Sequence, residues 1–221
     1  MAITYADIRH NEHVCALIEA GNAALEVMGY TDHGYGHAGM TAKWCGDLLN
    51  ALDYDERTCE LARIAAYMHD IGNAVNRTDH AMSGATLSFT ILSGLGMPPE
   101  EIAQVITAIG NHDEHAANPV SPLTAALILA DKADVRRSRV RCKPTDINFD
   151  IHDRVNYAAV DSSLTVNQER TAIVLNLTID TEICPVMDYF EIFLTRMLLC
   201  RDASKFFKLR FELIINDTRM L

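Results

Sequence analysis

Six side chains with the chemistry of metal ligands fall where helices should bury hydrocarbon: His37, His69, Asp70, His80, His112 and Asp131. His37 leads Thr41, Trp44, Leu48 and Leu52 at helical spacing and so lies on an apolar stripe. Leu61, Ile64, Ala65 and Met68 make the next stripe, which ends on His69-Asp70. His80 is in phase with Gly84, Leu87 and Ile91; Ile102, Val105, Ile106 and Ile109 lead to His112; Asp131 follows Leu123 and Leu127 in steps of four. A lone histidine on such a face is ordinarily a hydrogen-bonded core residue. Five helices that each carry an imidazole or carboxylate inward call for a shared partner, because each group buried unpaired costs several kcal/mol. A divalent cation satisfies neutral imidazole nitrogens and carboxylate oxygens together, and this donor set suits Fe, Mn, Zn or Ni better than a thiolate-seeking ion. Six ligands exceed one tetrahedral site and suit two ions bridged by a carboxylate, with positions left for water and substrate.

Three His-Asp pairs compete for the centre: His69-Asp70, His112-Asp113 and His152-Asp153. Only the first ends a strongly apolar helix and meets a turn residue, Gly72. The third lies in the charged run Asp150-Ile151-His152-Asp153-Arg154 and reads as surface. Asp113, Glu114 and His115 read as a solvated loop, with Glu114 or His115 at the mouth of a site as a secondary reading. His33 reads as polar surface, and Tyr35 as a candidate for the mouth.

The elements that must position these groups are helical up to about residue 140, with helices expected near 7–28, 36–52, 56–70, 79–95, 99–112 and 121–140. Gly29, Gly94, Gly96 and Pro98-Pro99 supply stops and starts. After Cys142-Lys143-Pro144 the texture changes. Residues 146–159 suit one more helix, while Ile173, Leu175, Leu177 and Ile179 alternate as in a strand that pairs with Ser163 to Gln168 through a tight turn. Pro185 to Lys205 returns to helical spacing, and Arg210 to Ile215 alternates again. The expected fold is therefore mainly α, a helical bundle over 1–143 with a C-terminal α+β subdomain over 144–221, its sheet small and antiparallel. Arg210 to Ile215 is the strand expected to be exposed, and a homodimer pairing across it is one candidate assembly.

Composition sets outer bounds. The 221 residues are 49% hydrophobic and 22% charged, an ordinary globular balance. A formal charge of −11 argues against a sequence-independent hold on a nucleic acid polymer, while leaving room for a small anion at a local site. The opening MAITYADIRHNEH has no basic region leading into an apolar one, and no later run approaches a membrane span, which fits a cytoplasmic protein with no membrane partner. Six scattered cysteines without a CxxC read as reduced thiols.

The order of His37, His69-Asp70 and Asp131 resembles the H…HD…D signature of the HD-domain metal-dependent phosphohydrolases, with His80 and His112 in the extra positions of the dinuclear subgroup. The words HDIGN, DHAMSGA, IGNHD and LADKADVRR look closest to bacterial HD proteins of the diadenosine-tetraphosphate-hydrolase type, over about residues 30–140. The resemblance implies two divalent ions, Fe or Mn first with Zn, Ni or Mg as alternatives. One would take His37, His69, Asp70 and Asp131, the other His80 and His112, with Asp70 bridging. It further implies attack of a metal-bound hydroxide on a phosphate ester or anhydride of a nucleotide or similar small metabolite, with Asp70 and Asp131 as the catalytic carboxylates. For phosphate contacts the candidates are Lys132, Arg136, Arg137, Asn73 and Arg77. Asn73 stands where the family often has lysine, and the Arg136 to Arg141 run reads equally as a solvated helix end. Two other readings use the same ligands: an HD-type di-iron oxygenase, and a non-catalytic metal- or nucleotide-binding regulatory protein.

Overall fold

The computed structural model describes residues 2–114, 117–141 and 151–220; His115, Cys142 and the 146–150 part of the helix expected over 146–159 lie outside them. Among the described residues the helices are α1 (Tyr5–Arg9), α2 (Glu12–Val27), α3 (Tyr35–Ala51), α4 (Glu56–Met68), α5 (His80–Gly94), α6 (Pro99–Gly110), α7 (Pro122–Ala133), α8 (Ile151–Ala158) and α9 (Val186–Phe206). The strands are β1 (Ala159–Val166), β2 (Ala172–Ile179), β3 (Arg210–Ile215) and β4 (Thr218–Arg219).

Local chemistry sets the boundaries. The single helix expected over 7–28 is two, because the Asn11 side chain accepts hydrogen bonds from the amides of His13 and Val14 and caps a new start. Asp55 caps α4 through the Thr58 amide, and Ser121 caps α7 through the Thr124 amide, with Pro122 in the first turn. α7 is buried on nearly every side from Leu123 to Ala133, so it is the central helix, with α3, α4, α6 and α9 packed around it. It ends at Ala133 rather than near 140. There Asp134 leaves helical geometry, and Arg139 donates from Nη1 to the Asp134 carbonyl at 2.5 Å.

α4 runs into His69, and Ile71–Ala74 then form one 3-10 turn. Gly72 lies under the first turns of α5 so closely that a Cβ would overlap the His80 carbonyl and the Gly84 amide. Gly84 in turn faces the His69 carbonyl, which a Cβ would meet at 3.1 Å. This backbone-to-backbone contact carries His80 to Asp70.

The C-terminal sheet is mixed. Its strand order is β1-β2-β3-β4, with β1–β2 and β3–β4 antiparallel and β2–β3 parallel. An all-antiparallel sheet was the expectation; α9 overturns it by returning the chain to the same end of the sheet from which β2 started, as a crossover helix does. β3 is consequently an inner strand with Phe211, Leu213 and Ile215 buried, not an exposed one. Tyr189, Phe193, Met197 and Cys200 form the buried stripe of α9, and their cluster is continuous with Leu127 and Ile128 of α7. Ser162 of β1 donates to the Ala133 carbonyl at 2.5 Å, tying the sheet to the end of α7. No helix among the described residues is long and apolar enough to cross a membrane.

Candidate metal centre

α3, the α4 terminus, the start of α5, the second residue after α6 and the end of α7 bring His37, His69-Asp70, His80, His112 and Asp131 to one place. The ligand atoms fall into three trios: His37, His69 and Asp70; His69, His112 and Asp131; Asp70, His80 and His112. Within each trio they lie within 4.8 Å of one another. The two oxygens of Asp70 face different neighbours, Oδ2 lying 3.3 Å from His69 Nε2 and 3.8 Å from His37 Nε2, and Oδ1 lying 3.4 Å from His80 Nε2. That is the disposition a bridging carboxylate requires. Asp131 Oδ1 lies 3.3 Å from His37 Nε2 and 3.7 Å from His69 Nε2.

Each imidazole is fixed by its other nitrogen. His69 Nδ1 lies 2.7 Å from the Ala66 carbonyl, His80 Nδ1 3.0 Å from that of Arg77, and His112 Nδ1 2.6 Å from that of Ile109. A carbonyl only accepts, so Nδ1 carries the proton and the Nε2 lone pair is turned inward. His37 Nδ1 meets the fully buried carboxylate of Asp134 at 2.8 Å, with the same result. Nε2 of His37 and Nε2 of His69 are then 3.3 Å apart, two lone pairs that need a cation between or beside them. Electrostatics agree. Burial opposes a charged His69, but the Asp70 and Asp131 carboxylates outweigh it and lift the imidazolium to about 10. Burial and the adjacent His69 push His112 down to about 3. Burial would raise both carboxylates, yet His69 beside Asp70, and Lys132 beside Asp131, hold them well below the ordinary range. The site thus demands positive charge among neutral imidazoles and ionised carboxylates, which a divalent ion satisfies better than a proton. The donor set fits Fe, Mn, Zn or Ni.

The supporting shell includes a residue the sequence reading missed. Asp134 orients His37 and also takes Arg136 through Nε at 2.5 Å and Nη2 at 3.1 Å. Such a carboxylate behind a histidine fixes its tautomer and raises its basicity. The available signal was a second aspartate three residues after Asp131, enclosed by Ala133 and Val135. Asn73, expected at the substrate, is buried and donates to Asp70 Oδ1 at 2.9 Å, so it aims the carboxylate.

A cavity of about 530 Å³ opens above the cluster, lined in part by Asp70, His80, His112 and Asp131. Of the expected substrate residues, Arg77 and Lys132 line it. Lys132 Nζ lies 2.7 Å from Asp131 Oδ2, and Arg77 Nη1 lies 4.0 Å from Asp70 Oδ1, so both flank the ligands. Arg136 and Arg137 are not among its lining residues: Arg136 is spent on Asp134, while Arg137 stacks 4.6 Å over the Tyr157 ring and donates to the Tyr157 carbonyl. The Arg136 to Arg141 run is no solvated helix end either. Arg139 and Arg141 donate to the carbonyls of Asp32 and Tyr30 and staple that loop in place.

Other residues enter from unexpected directions. His33 lines the cavity instead of lying on the surface, and so do His152 and Asp153. Tyr35 does not line it, its hydroxyl donating to Glu19 at 2.7 Å. α8 and α9 form a whole wall, with Asn156, Phe193 and Arg196, so the C-terminal piece is part of the site. Local polarity in the sequence marks a charged helix turn but not the cavity it faces.

Residues 34–137, a segment that contains all six residues of the cluster, match the family described as the HD domain. An uncharacterized protein of Methanocaldococcus jannaschii is 26% identical over 179 residues, covering 71% of this chain and 68% of that one. A crystal structure of a predicted HD superfamily hydrolase from an uncultured Thermotogales bacterium shares 22% identity, covers 57% of this chain and 69% of that one, and superposes with a TM-score of 0.45.

Proposed function

We propose that the cavity is the active site of a metal-dependent phosphohydrolase that cleaves a phosphate ester or anhydride of a nucleotide or similar small metabolite. One observation carries the reading: four imidazoles, each locked by its Nδ1, direct Nε2 at two carboxylates, one of which faces two sides. The match of residues 34–137 to the HD domain supports it.

His37, His69, Asp70, His80, His112 and Asp131 would hold the ions, two of them with Asp70 shared. Divalent ions supply Lewis acidity there, acidifying a coordinated water and offsetting charge on the phosphoryl oxygens. The chain's own residues do the rest. Asp134 and Asn73 hold His37 and Asp70 in the geometry the ions need. Arg77 and Lys132 place cations beside Asp70 and Asp131, where phosphoryl oxygens would dock. α8 and α9 supply a further wall of the cavity through His152, Asp153, Asn156, Phe193 and Arg196.

The test is elemental analysis of protein purified without oxygen, followed by phosphate release from mono-, di- and dinucleoside phosphates. Asp70→Asn should lose metal and turnover together. Full metal content with wild-type turnover in that variant, or substrate loss that requires dioxygen, would overturn the assignment.

A further inference from the structure

Two further cationic side chains, Arg139 and Arg196, line the cavity without contacting a metal-ligand candidate by hydrogen bond or ion pair among the described residues; Arg139 Nε lies 3.9 Å from Asp134 Oδ2, behind His37. Arg139 is only 7% exposed. Its Nε donates to the Asp32 carbonyl at 2.9 Å and its Nη1 to the Asp134 carbonyl, while its own carbonyl accepts from the Asp32 amide at 2.7 Å. Among the described residues nothing hydrogen-bonds or ion-pairs its Nη2. Arg196 enters from α9 on the opposite wall. It is held by Nε on Glu114 at 2.6 Å and by stacking at 4.8 Å over the Phe193 ring, and it lines the cavity. Both guanidinium groups are thus tethered by neighbouring residues while lining the same cavity. A planar fork of donors paired in this way matches an oxyanion.

The position of Glu114 decides which anion. Its carboxylate lies between Lys132, at 3.7 Å, and Arg196, at 2.6 Å. Lys132 is the cation beside the metal-ligand Asp131. The order Asp131, Lys132, Glu114, Arg196 therefore runs outward from the cluster, and the carboxylate of Glu114 separates the inner cation from the outer one. A phosphoryl group docked at the cluster already has Arg77 and Lys132.

We propose that Arg139 and Arg196 form a second anion subsite, so that the preferred substrate is a phosphate ester whose far end carries another phosphate or carboxylate. The inference rests on the reading above that a phosphoryl group docks at the histidine–aspartate cluster, and it adds the C-terminal helix α9 as a determinant of specificity.

Matched alkanediol monophosphates and bisphosphates of equal chain length test it on the metal-loaded protein. The wild type should favour the bisphosphate, read as the ratio of the two KM values. Arg196→Ala should shrink that ratio roughly tenfold or more, the loss of a charge-assisted hydrogen bond. Because Arg139 also staples the 30–34 loop, Arg139→Lys is the gentler second variant, expected to move the ratio the same way. A ratio identical in wild type and both variants overturns the subsite. If neither compound is hydrolysed, calorimetric binding decides the subsite, and the phosphohydrolase reading is decided by the nucleoside phosphates above. Tighter binding of the bisphosphate that depends on Arg196 upholds it, and equal affinity of the wild type for both compounds sinks it.

Discussion

His37 Nδ1 and Asp134 Oδ2 are 2.8 Å apart, with both side chains completely buried. The pair joins α3 to the residue that ends α7, and it determines which nitrogen of His37 faces the cluster. Asp134→Asn keeps the volume and removes the charge. Metal affinity is expected to fall by roughly ten- to a hundredfold, as for other partners behind ligating histidines. Arg136 also loses its buried counter-ion, so stability should fall by roughly 3 kcal/mol or more. Metal titration of the variant, with its unfolding midpoint measured alongside, checks both. Undiminished metal affinity in a folded variant would detach Asp134 from the centre.

Gly72 makes a second, sharper case. Its α-carbon lies against the backbone of His80 and Gly84, so Gly72→Ala has to push α5 off the 3-10 turn. The expected cost is about 1–3 kcal/mol, with loss of the His80 contribution to metal binding. Gly39, in the middle of α3, has nothing within 4 Å of where a Cβ would stand. Gly39→Ala should therefore stabilise by roughly 0.5–1 kcal/mol. Chemical denaturation of the two variants in parallel gives opposite signs if the close approach at Gly72 is what the residue is for.

How much of this was legible in the sequence follows from what each signal reports. The convergence of His37, His69, His80, His112 and Asp131 was readable because helical phase is local: a polar group in register with buried leucines and isoleucines must point where they point. Asp134 escaped because its burial depends on α7 stopping at Ala133, and the basic run that follows reads equally as more helix. His152 and Asp153 were read as surface because charge composition reports polarity, not which cavity a turn of α8 approaches. Alternation in Arg210 to Ile215 fixed the buried face of β3 but not its partner, and the parallel pairing with β2 came from the α9 crossover.

Metal should also act as a structural ligand. The cluster is assembled from residues far apart in the chain, so ions bind the folded state and scarcely the unfolded one. At a free ion concentration a hundredfold above Kd, binding adds about 2.7 kcal/mol, or roughly 5 to 10 °C of melting temperature in a chain this size. Thermal unfolding of chelated protein titrated with Mn or Fe tests this, and a midpoint indifferent to metal would contradict a folded-state site at the cluster.

The Arg57–Glu101 pair gives a pH-dependent prediction away from the cluster. Arg57 of α4 reaches the first turn of α6, donating from Nε to Glu101 Oε1 at 2.8 Å and from Nη2 to Oε2 at 2.5 Å, while Nη1 takes the Ile3 carbonyl. The side chains are only 28% and 20% exposed, so solvent screens the fork in part. The hydrogen bonds from Arg57 hold Glu101 below its ordinary value of 4.5. A carboxylate depressed in the folded state contributes stability above its unfolded pKa and loses it as pH falls through the folded one. Glu101→Gln should therefore cost roughly 1 kcal/mol at neutral pH, and the gap from wild type should close below pH 4.5 as Glu101 itself becomes neutral. Urea denaturation of both proteins across that range measures the gap directly, and a difference that stays constant into acid would mean that the charge of Glu101 is not what joins α4 to α6.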